Sequence, residues 1–246
     1  MRLAIVDRLS PNNDARPDGV AVDMLILHYT GMPTTAEALA RLTDPSASVS
    51  AHYLIDEDGT VYRLVAEARR AWHAGEASWR GRRDVNGASI GIELHNPGYE
   101  HGYRPYPEPQ MAALEALAQD IMARHPIPAR HVLGHSDVAP HRKRDPGELF
   151  DWRRLSEAGV GLWPARPVVK GEMGLVLCPG DSGPPVKDIQ RALKEFGYAV
   201  STDGRFDATT ASVVAAFQRH FRAERVDSAV DPETAQRLFE LVERIG

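Results

Sequence analysis

The sequence predicts an α/β fold, with helices on a central sheet, followed by a small unit of three helices. Over the first two thirds of the 246 residues, short apolar runs of strand length alternate with helical patterns. Between residues 162 and 185, five prolines and four glycines interrupt this periodicity, as in a linker. We therefore divide the chain into a larger domain over residues 1–165, a linker over 166–183 and a smaller domain over 184–246.

Apolar runs predict the strands of the larger domain, and several of these runs end in polar residues. Residues 22–29 predict a buried strand that carries His28 at its C-terminal end, where α/β sheets commonly present functional groups. Residues 88–94 predict a further strand with Glu93 near its end. The remaining strands are a hairpin over 51–55 and 60–65, with the turn residues Asp58 and Gly59, and a short strand over 131–134 before His135.

Helices are expected in both domains. Residues 34–42 start with hydroxyl capping candidates, and residues 109–125 place apolar side chains on one face before Pro126. In the smaller domain, three helical patterns cover residues 186–196, 209–221 and 231–242. Because about sixty residues make a marginal core on their own, we expect this domain to dock against the larger one.

The alternation of side chains along a strand bears on Glu93. Ile90 and Ile92 share one face of the predicted strand, while Gly91 and Glu93 share the other. A glycine beside the carboxylate suits a crowded surface that faces a ligand. The alternative is an exposed glutamate on the solvent side of the sheet.

Composition and charge exclude several classes of protein. The net charge of −5 and the pI near 6.1 give no electrostatic argument for a nucleic-acid or anionic-membrane partner. Cys178 is the single cysteine, which rules out an internal disulfide and a cysteine-rich zinc site. No apolar run approaches the roughly 18 to 20 residues that span a bilayer. We expect a monomer with no transmembrane segment.

The N-terminus bears on the compartment. The sequence turns polar after Val6 and lacks the apolar core of about 7 to 15 residues that is typical of a secretory signal. This pattern predicts a cytoplasmic protein. The cell envelope or periplasm is the alternative.

Three side chains predict a metal centre. His28 and His135 each follow an apolar strand, and Asp145 lies beyond His135 in the segment GHSDVAPHRKRDPG. Two imidazoles and one carboxylate leave a fourth position open, which is the ligand set of a zinc ion that activates water. We therefore predict a Zn²⁺-dependent hydrolase. His141, in the same loop as Asp145, is the alternative third ligand.

Amide hydrolysis gives roles to two more residues. A base must take a proton from the attacking water and pass it to the departing nitrogen, and Glu93 is the candidate. A cation should face the oxyanion of the tetrahedral intermediate, and Lys143 lies two residues before Asp145. Because the chain has 4 lysines against 25 arginines, a lysine is not its default basic residue. The alternative places Lys143 in a solvated basic loop with Arg142 and Arg144.

Five motifs over approximately residues 20–155 carry a family resemblance: HYTG, SAHYLIDEDGTVYRLV, AWHAG, SIGIELHNPG and HSDVAPHRKRDPG. Together they resemble the zinc-dependent N-acetylmuramoyl-L-alanine amidases of the type-2 amidase family, in its AmpD/AmiD-like branch. The resemblance implies zinc held by His28, His135 and Asp145, with Glu93 catalytic and Lys143 supporting the transition state. It implies cleavage of the amide between the lactyl group of N-acetylmuramic acid and L-alanine. It also implies a mixed central sheet flanked by helices, as in peptidoglycan-recognition proteins.

The chain departs from part of the wider superfamily at two positions. Phage lysozyme-type amidases and many recognition proteins have a cysteine as third ligand and a tyrosine just before the histidine that matches His52. Asp145 and Ala51 stand at those positions here. A tyrosine-assisted mechanism is therefore excluded, and Glu93 must carry the proton transfer.

Residues 71–86 supply candidates for a glycopeptide groove, because sugars pack on aromatic faces and peptide carboxylates suit arginine. The candidates are Trp72, His73, Trp79 and Asn86. The alternative for the two tryptophans is that they close the core under a long loop.

The C-terminal segment resembles the three-helix peptidoglycan-binding domain that often accompanies such amidases. DGRFDATT replaces the commoner DG-x-FGP-x-T, and Val226-Asp227-Ser228 replaces the usual glycine turn. The resemblance implies either a wall-targeting module or a cap on the amidase domain.

The leading hypothesis is a zinc amidase that acts on peptidoglycan or on anhydromuropeptide fragments. A recognition protein that binds muropeptides without cutting them is the competing hypothesis, and an endopeptidase that cleaves inside the peptide is a third. The three ligands with Glu93 and Lys143 favour the enzyme, because a pure binder has no need of an open metal site.

Overall fold

The computed structural model describes residues 4–166 and 174–245. The strands are β1 (Ile5–Asp7), β2 (Asn13–Ala15), β3 (Met24–Tyr29), β4 (Tyr53–Ile55), β5 (Val61–Arg63), β6 (Arg69–Ala71), β7 (Ser89–Leu94) and β8 (Val132–Gly134). The helices are α1 (Thr35–Thr43), α2 (Val85–Ala88), α3 (Gly98–His101), α4 (Glu108–Arg124), α5 (His135–Val138), α6 (Trp152–Glu157), α7 (Pro184–Phe196), α8 (Ala208–Phe221) and α9 (Pro232–Ile245).

A mixed six-stranded sheet forms the centre of the molecule, in the order β1-β5-β4-β7-β3-β8, as the family resemblance implied. β3 is parallel to β7 and to β8, and β7 is parallel to β4. The predicted hairpin is confirmed, because β4 pairs with β5 in antiparallel fashion. At its turn Gly59 has a φ of +86°, which favours glycine. β2 and β6 form a separate antiparallel pair.

The two faces of β3 pack against different layers. Leu25 and Leu27 belong to a core that includes Leu114 and Ile121 of α4, which is the long amphipathic helix predicted for this region. Met24 and Ile26, together with His28, point to the opposite side because side chains alternate along a strand. The functional side chain of β3 therefore lies on the face away from α4.

The helices of the smaller domain cover part of that opposite face. Met24 and Ile26 share one buried core with Phe196 of α7 and Phe217 of α8. The expected docking of the smaller domain is confirmed. Docking supplies apolar contacts that a domain of about sixty residues cannot form by itself. Asp207 caps α8 by accepting a hydrogen bond from the backbone N–H of Thr210 at 2.8 Å.

Several short elements were not predicted, among them β1, β2, β6 and α5, which have three or four residues each and show no period of their own. β4, β5 and β8 are equally short, but longer apolar runs predicted them. Of the predicted linker, residues 167–173 lie outside the described residues. Its later part already belongs to the smaller domain, since Leu177 pairs with Val230 in an isolated antiparallel bridge. Among the described helices, none has the length and apolar character needed to cross a bilayer.

Candidate metal centre

The three predicted ligands meet at the carboxyl end of the parallel strands. His28 is the fifth residue of β3, His135 opens α5 directly after β8, and Asp145 lies in the following loop. Nδ1 of His28 lies 2.9 Å from Nδ1 of His135, and Oδ2 of Asp145 lies 3.1 and 3.0 Å from these two nitrogens. All three residues are buried. The structure thus brings together side chains that are up to 117 positions apart in the chain.

The second nitrogen of each ring determines where its proton lies. Nε2 of His135 lies 3.0 Å from the carbonyl oxygen of Ala74, which can only accept, so this nitrogen carries the proton. Nε2 of His28 lies 3.0 Å from Nδ1 of His73, whose own Nε2 lies 3.1 Å from Oγ of Ser89. With its proton on Nε2, His28 donates to His73, and His73 in turn donates to Ser89. The Nδ1 lone pairs of His28 and His135 then face Asp145, as metal binding requires.

The electrostatics of the cluster suit a divalent cation. Burial and the neighbouring His135 lower the pKa of His28 to about 4, so this imidazole is neutral at pH 7. Zinc binds imidazole nitrogen and carboxylate oxygen at about 2.0–2.2 Å, and donors roughly 3 Å apart can all reach one ion at that distance. The residues present therefore fit a zinc ion.

Glu93 lies beside the cluster because of the strand register. His28 and Glu93 are direct partners in the parallel pair of β3 and β7, so their side chains project from the same face. Oε2 of Glu93 is buried and has no hydrogen-bond partner among the described residues. Burial, and next the charge of Asp145, raise the pKa of Glu93 well above its ordinary value, although Lys143 lowers it. With its pKa raised, this carboxyl binds a proton more readily than an ordinary glutamate does.

Gly91 has the role that the strand pattern predicted. It faces the same side as Glu93, and a Cβ at this position would lie 2.5 Å from the His73 ring. Only glycine leaves space for His73 to reach His28, so this face of the sheet is as crowded as the glycine beside the carboxylate predicted.

An open cleft of roughly 640 Å³ lies over the cluster. Lys143 lines this cleft together with Glu93 and the three donors, and its charge acts on both Glu93 and His28. Its neighbour Arg144 also lines the cleft, with its guanidinium 5.5 Å from the centre of the Tyr99 ring. His141 is exposed and does not belong to the donor group, so the alternative third ligand has no support in the geometry.

The four groove candidates divide into two pairs. Trp72 and His73 line the cleft, and His73 also holds the orientation of His28. The placement of the other two in the groove is corrected, because neither lines the cleft. Trp79 is 1% exposed and packs edge-on against Phe196 and Tyr198, which is the core-closing alternative.

Asn86 supports the cleft from behind. Its Oδ1 accepts hydrogen bonds from the backbone N–H groups of His73 and Ala74, at 3.1 and 2.8 Å. Sequence reasoning also missed Arg41, Tyr29 and Tyr99 in the cleft wall. These residues lie on separate elements, and no local spacing signals that their side chains converge.

A buried donor cluster with a second carboxyl group beside it, on the floor of an open cleft, defines a hydrolase-type site that can hold a metal ion. Comparison with known families identifies the chain more closely. Residues 18–148, more than half of the chain, match the family Amidase_2, described as "N-acetylmuramoyl-L-alanine amidase". Residues 182–238 match PG_binding_1, described as "Putative peptidoglycan binding domain". This chain belongs to the N-acetylmuramoyl-L-alanine amidase family.

Individual relatives are similar over nearly the whole chain. The N-acetylmuramoyl-L-alanine amidase AmiD of Escherichia coli (strain K12) is 36% identical over 239 residues, which cover 92% of this chain and 84% of AmiD. The solved complex of E. coli AmiD with the substrate anhydro-N-acetylmuramic acid-L-Ala-D-gamma-Glu-L-Lys has a TM-score of 0.78 at 32% identity, covering 94% of this chain and 93% of that one. AmpDh3 of Pseudomonas aeruginosa in complex with anhydromuramic pentapeptide has a TM-score of 0.75 at 33% identity, covering 93% and 95%.

Proposed function

We propose that this protein hydrolyses the amide bond between N-acetylmuramic acid and L-alanine in anhydromuropeptides and peptidoglycan, with Zn²⁺ at His28, His135 and Asp145. The observation that carries the proposal is the pairing of His28 with Glu93 in adjacent strands, which sets a buried, unpartnered carboxyl oxygen beside the three donors. A protein that only bound muropeptides would gain nothing from such a carboxyl group, because burying it without a partner costs stability.

The residues of the chain have separate roles in this reaction. A zinc ion, when bound, makes a water molecule nucleophilic near neutral pH and polarises the amide carbonyl. His28 and His135 offer their Nδ1 lone pairs, and Asp145 supplies the negative charge that favours a cation. His73 holds the ring of His28 through the contact at 3.0 Å.

Glu93 accepts the proton of the attacking water and delivers it to the departing nitrogen. The raised pKa of Glu93 suits both steps, because the carboxylate gains a proton readily and keeps it until the amine leaves. Lys143 faces the developing oxyanion with its ammonium group. Its place in the wall of the cleft supports this role.

The walls of the cleft suit an anionic glycopeptide. Arg41 and Arg144 lie in the wall, where guanidinium groups can bind the carboxylates of a stem peptide. Trp72 offers an aromatic face for a sugar ring. The relatives crystallised with anhydromuramyl peptides support this class of substrate.

We assign amide hydrolysis to the domain predicted over residues 1–165, and attachment to the cell wall to the helical domain predicted over 184–246. Leu177, within the predicted linker 166–183, also belongs to the helical domain because it pairs with Val230. We expect the enzyme to be a monomer. Gel filtration with light scattering tests that expectation.

Incubation of the zinc-loaded protein with anhydromuropeptide and with intact sacculi, followed by mass spectrometry, tests the function. We expect free stem peptide that begins with L-alanine, and its loss on treatment with a chelator. Products cleaved within the peptide would support the endopeptidase hypothesis instead. Binding without any product would support the recognition protein.

A further inference from the structure

A second buried polar cluster lies where α5 meets the C-terminal helical domain. The Tyr198 hydroxyl donates to Oδ1 of Asp137 at 2.6 Å, and Nδ1 of His220 lies 2.7 Å from Oδ2 of the same carboxylate. All three residues are buried, with exposed fractions of 1–2%. Burial also raises the pKa of Tyr198, which keeps its hydroxyl protonated as a donor.

Asp137 lies in the short helix that carries the metal-centre histidine. Its Oδ2 accepts a hydrogen bond from the backbone N–H of Gly134 at 2.8 Å, which ties the end of β8 to α5. His135 and Ser136 are the two residues between these points. A shift of the Asp137 carboxylate would therefore rotate or tilt the backbone from which the His135 ring projects.

The segment that follows Asp145 also contacts the C-terminal domain. The Trp152 ring, at the start of α6, stacks on the His220 ring with centroids 3.7 Å apart and planes 20° apart. The carbonyl of Asp145 accepts from the backbone N–H of Ser136 at 3.0 Å, so the two ligand-bearing segments are joined to each other as well. His220 of the C-terminal domain thus contacts Asp137, in the segment of His135, and Trp152, in the segment that follows Asp145.

Attachment of the domain does not by itself require this polar cluster. Next to it, Trp79 packs against Phe196 and Tyr198 through apolar ring contacts, which need no fixed orientation. Hydrogen bonds to a buried carboxylate are directional, and each group would lose stability if its partner moved. The cluster therefore fixes how α5 lies against the C-terminal helices.

We propose that Tyr198 and His220 are positioning residues of the metal centre: through Asp137 they set the place of His135, so that the C-terminal domain completes the zinc site. This inference rests on the proposed function of His135 as a zinc ligand. Neither residue touches the cleft, and their effect is on metal affinity and on the rigidity of α5.

Tyr198→Phe, with Tyr53→Phe as its matched control, tests the proposal. Tyr53 is also buried and donates to a carboxylate oxygen, that of Glu67, at 2.7 Å, but it lies on β4. Competition with a chromophoric chelator gives the zinc dissociation constant, and amide exchange of the metal-free protein gives the rigidity of residues 134–138. We expect Tyr198→Phe to weaken zinc binding roughly tenfold, which is the lower end of the effect seen for residues that support a metal ligand. We also expect faster amide exchange at Gly134. Tyr53→Phe should change neither.

Two substitutions of His220 separate positioning from mere packing. An asparagine can place an amide donor where Nδ1 of His220 lies, so His220→Asn should keep zinc affinity within about threefold of the wild type. His220→Leu keeps apolar bulk without a donor and should weaken binding about tenfold. Equal zinc affinity in the wild type, Tyr198→Phe and His220→Leu would overturn the positioning role while leaving the amidase intact. A wild-type protein that takes up no zinc would overturn the proposed function itself.

Discussion

Two buried clusters in this molecule each join histidine to aspartate, yet they have opposite chemistry. In the first, two imidazole nitrogens and a carboxylate oxygen of Asp145 face one another at 2.9–3.1 Å, below an open cleft. In the second, the carboxylate of Asp137 faces the donors of Tyr198, His220 and the Gly134 backbone, sealed between two domains. Both are deeply buried, so burial does not distinguish them.

The two clusters differ in the number of protons available to their hydrogen-bond acceptors. Every oxygen contact of Asp137 is filled by an N–H or O–H group, so this carboxylate is satisfied without an ion. In the cluster of Asp145, the second ring nitrogens already hold the protons of His28 and His135, and three lone pairs converge with no proton between them. Converging lone pairs repel unless a cation lies among them. The cluster of Asp145, whose acceptors outnumber its protons, can therefore hold a cation, whereas the carboxylate of Asp137, with its donors matched, acts as a structural clamp.

Removal of the carboxylate from the first cluster should have the largest effect. Asp145→Ala leaves two neutral nitrogens, and we expect zinc content to fall from one equivalent to a small fraction. Activity should fall by roughly 10³-fold or more, since the metal supplies several kcal/mol of transition-state stabilisation. Elemental analysis after dialysis and an anhydromuropeptide assay measure the two effects. His141→Ala, an exposed histidine of the same loop, is the control and should keep both. A full equivalent of zinc in Asp145→Ala would mean that another group is the third ligand.

Glu93→Gln tests whether the unpartnered carboxyl group belongs to the chemistry rather than to the metal. The amide keeps the size of the side chain but cannot carry the proton, so we expect one equivalent of zinc and a loss of activity of roughly 10²–10⁴-fold. Steady-state kinetics should place the loss in kcat. Unchanged activity would remove Glu93 from the mechanism, and loss of zinc would show that it supports the metal instead.

Lys143→Met should have a smaller effect, again with the metal retained. It removes the cation proposed to face the oxyanion, and loss of one such group costs roughly 10²–10³-fold in kcat. Lys187→Met, an exposed lysine of α7, is the control for removal of one positive charge. A kcat within twofold of the wild type in Lys143→Met would favour the solvated-loop alternative.

These comparisons also show what the sequence could and could not predict. His28 and His135 follow apolar runs long or regular enough to be recognised, and the alternation around Gly91 and Glu93 gave the correct face. Trp79 was misplaced because an aromatic residue in a loop has the same local pattern whether it lines a groove or packs under another domain. The clamp on Asp137 had no signal, since its partners lie 61 and 83 positions away. Long-range side-chain partners depend on domain packing, which local periodicity does not encode.

Another buried histidine, His52, sharpens the comparison because no carboxylate of the described residues forms a hydrogen bond with its ring. Its Nδ1 accepts from the backbone N–H of Gly91 at 3.0 Å, and its Nε2 lies 3.1 Å from the carbonyl oxygen of Arg69 and 3.0 Å from the Arg16 guanidinium. If Nδ1 were protonated, its N–H would point at the backbone N–H of Gly91, and the two donors would repel each other. Burial, and next the charge of Arg16, accordingly lower the pKa of His52 to about 3.

The consequence is a pH-dependent stability of the metal-free protein. Between an unfolded pKa of 6.5 and a folded pKa of about 3, the unfolded chain binds a proton at His52 that the folded chain does not, so the free energy of unfolding falls as the pH falls. From pH 7 to pH 5 this group alone should remove about 2 kcal/mol. Urea unfolding at both pH values measures the loss, and His52→Asn, which keeps an acceptor for Gly91 but cannot titrate, should lose about 2 kcal/mol less. Parallel pH profiles for the two proteins would mean that His52 is already charged in the folded state, held by contacts unlike those described above.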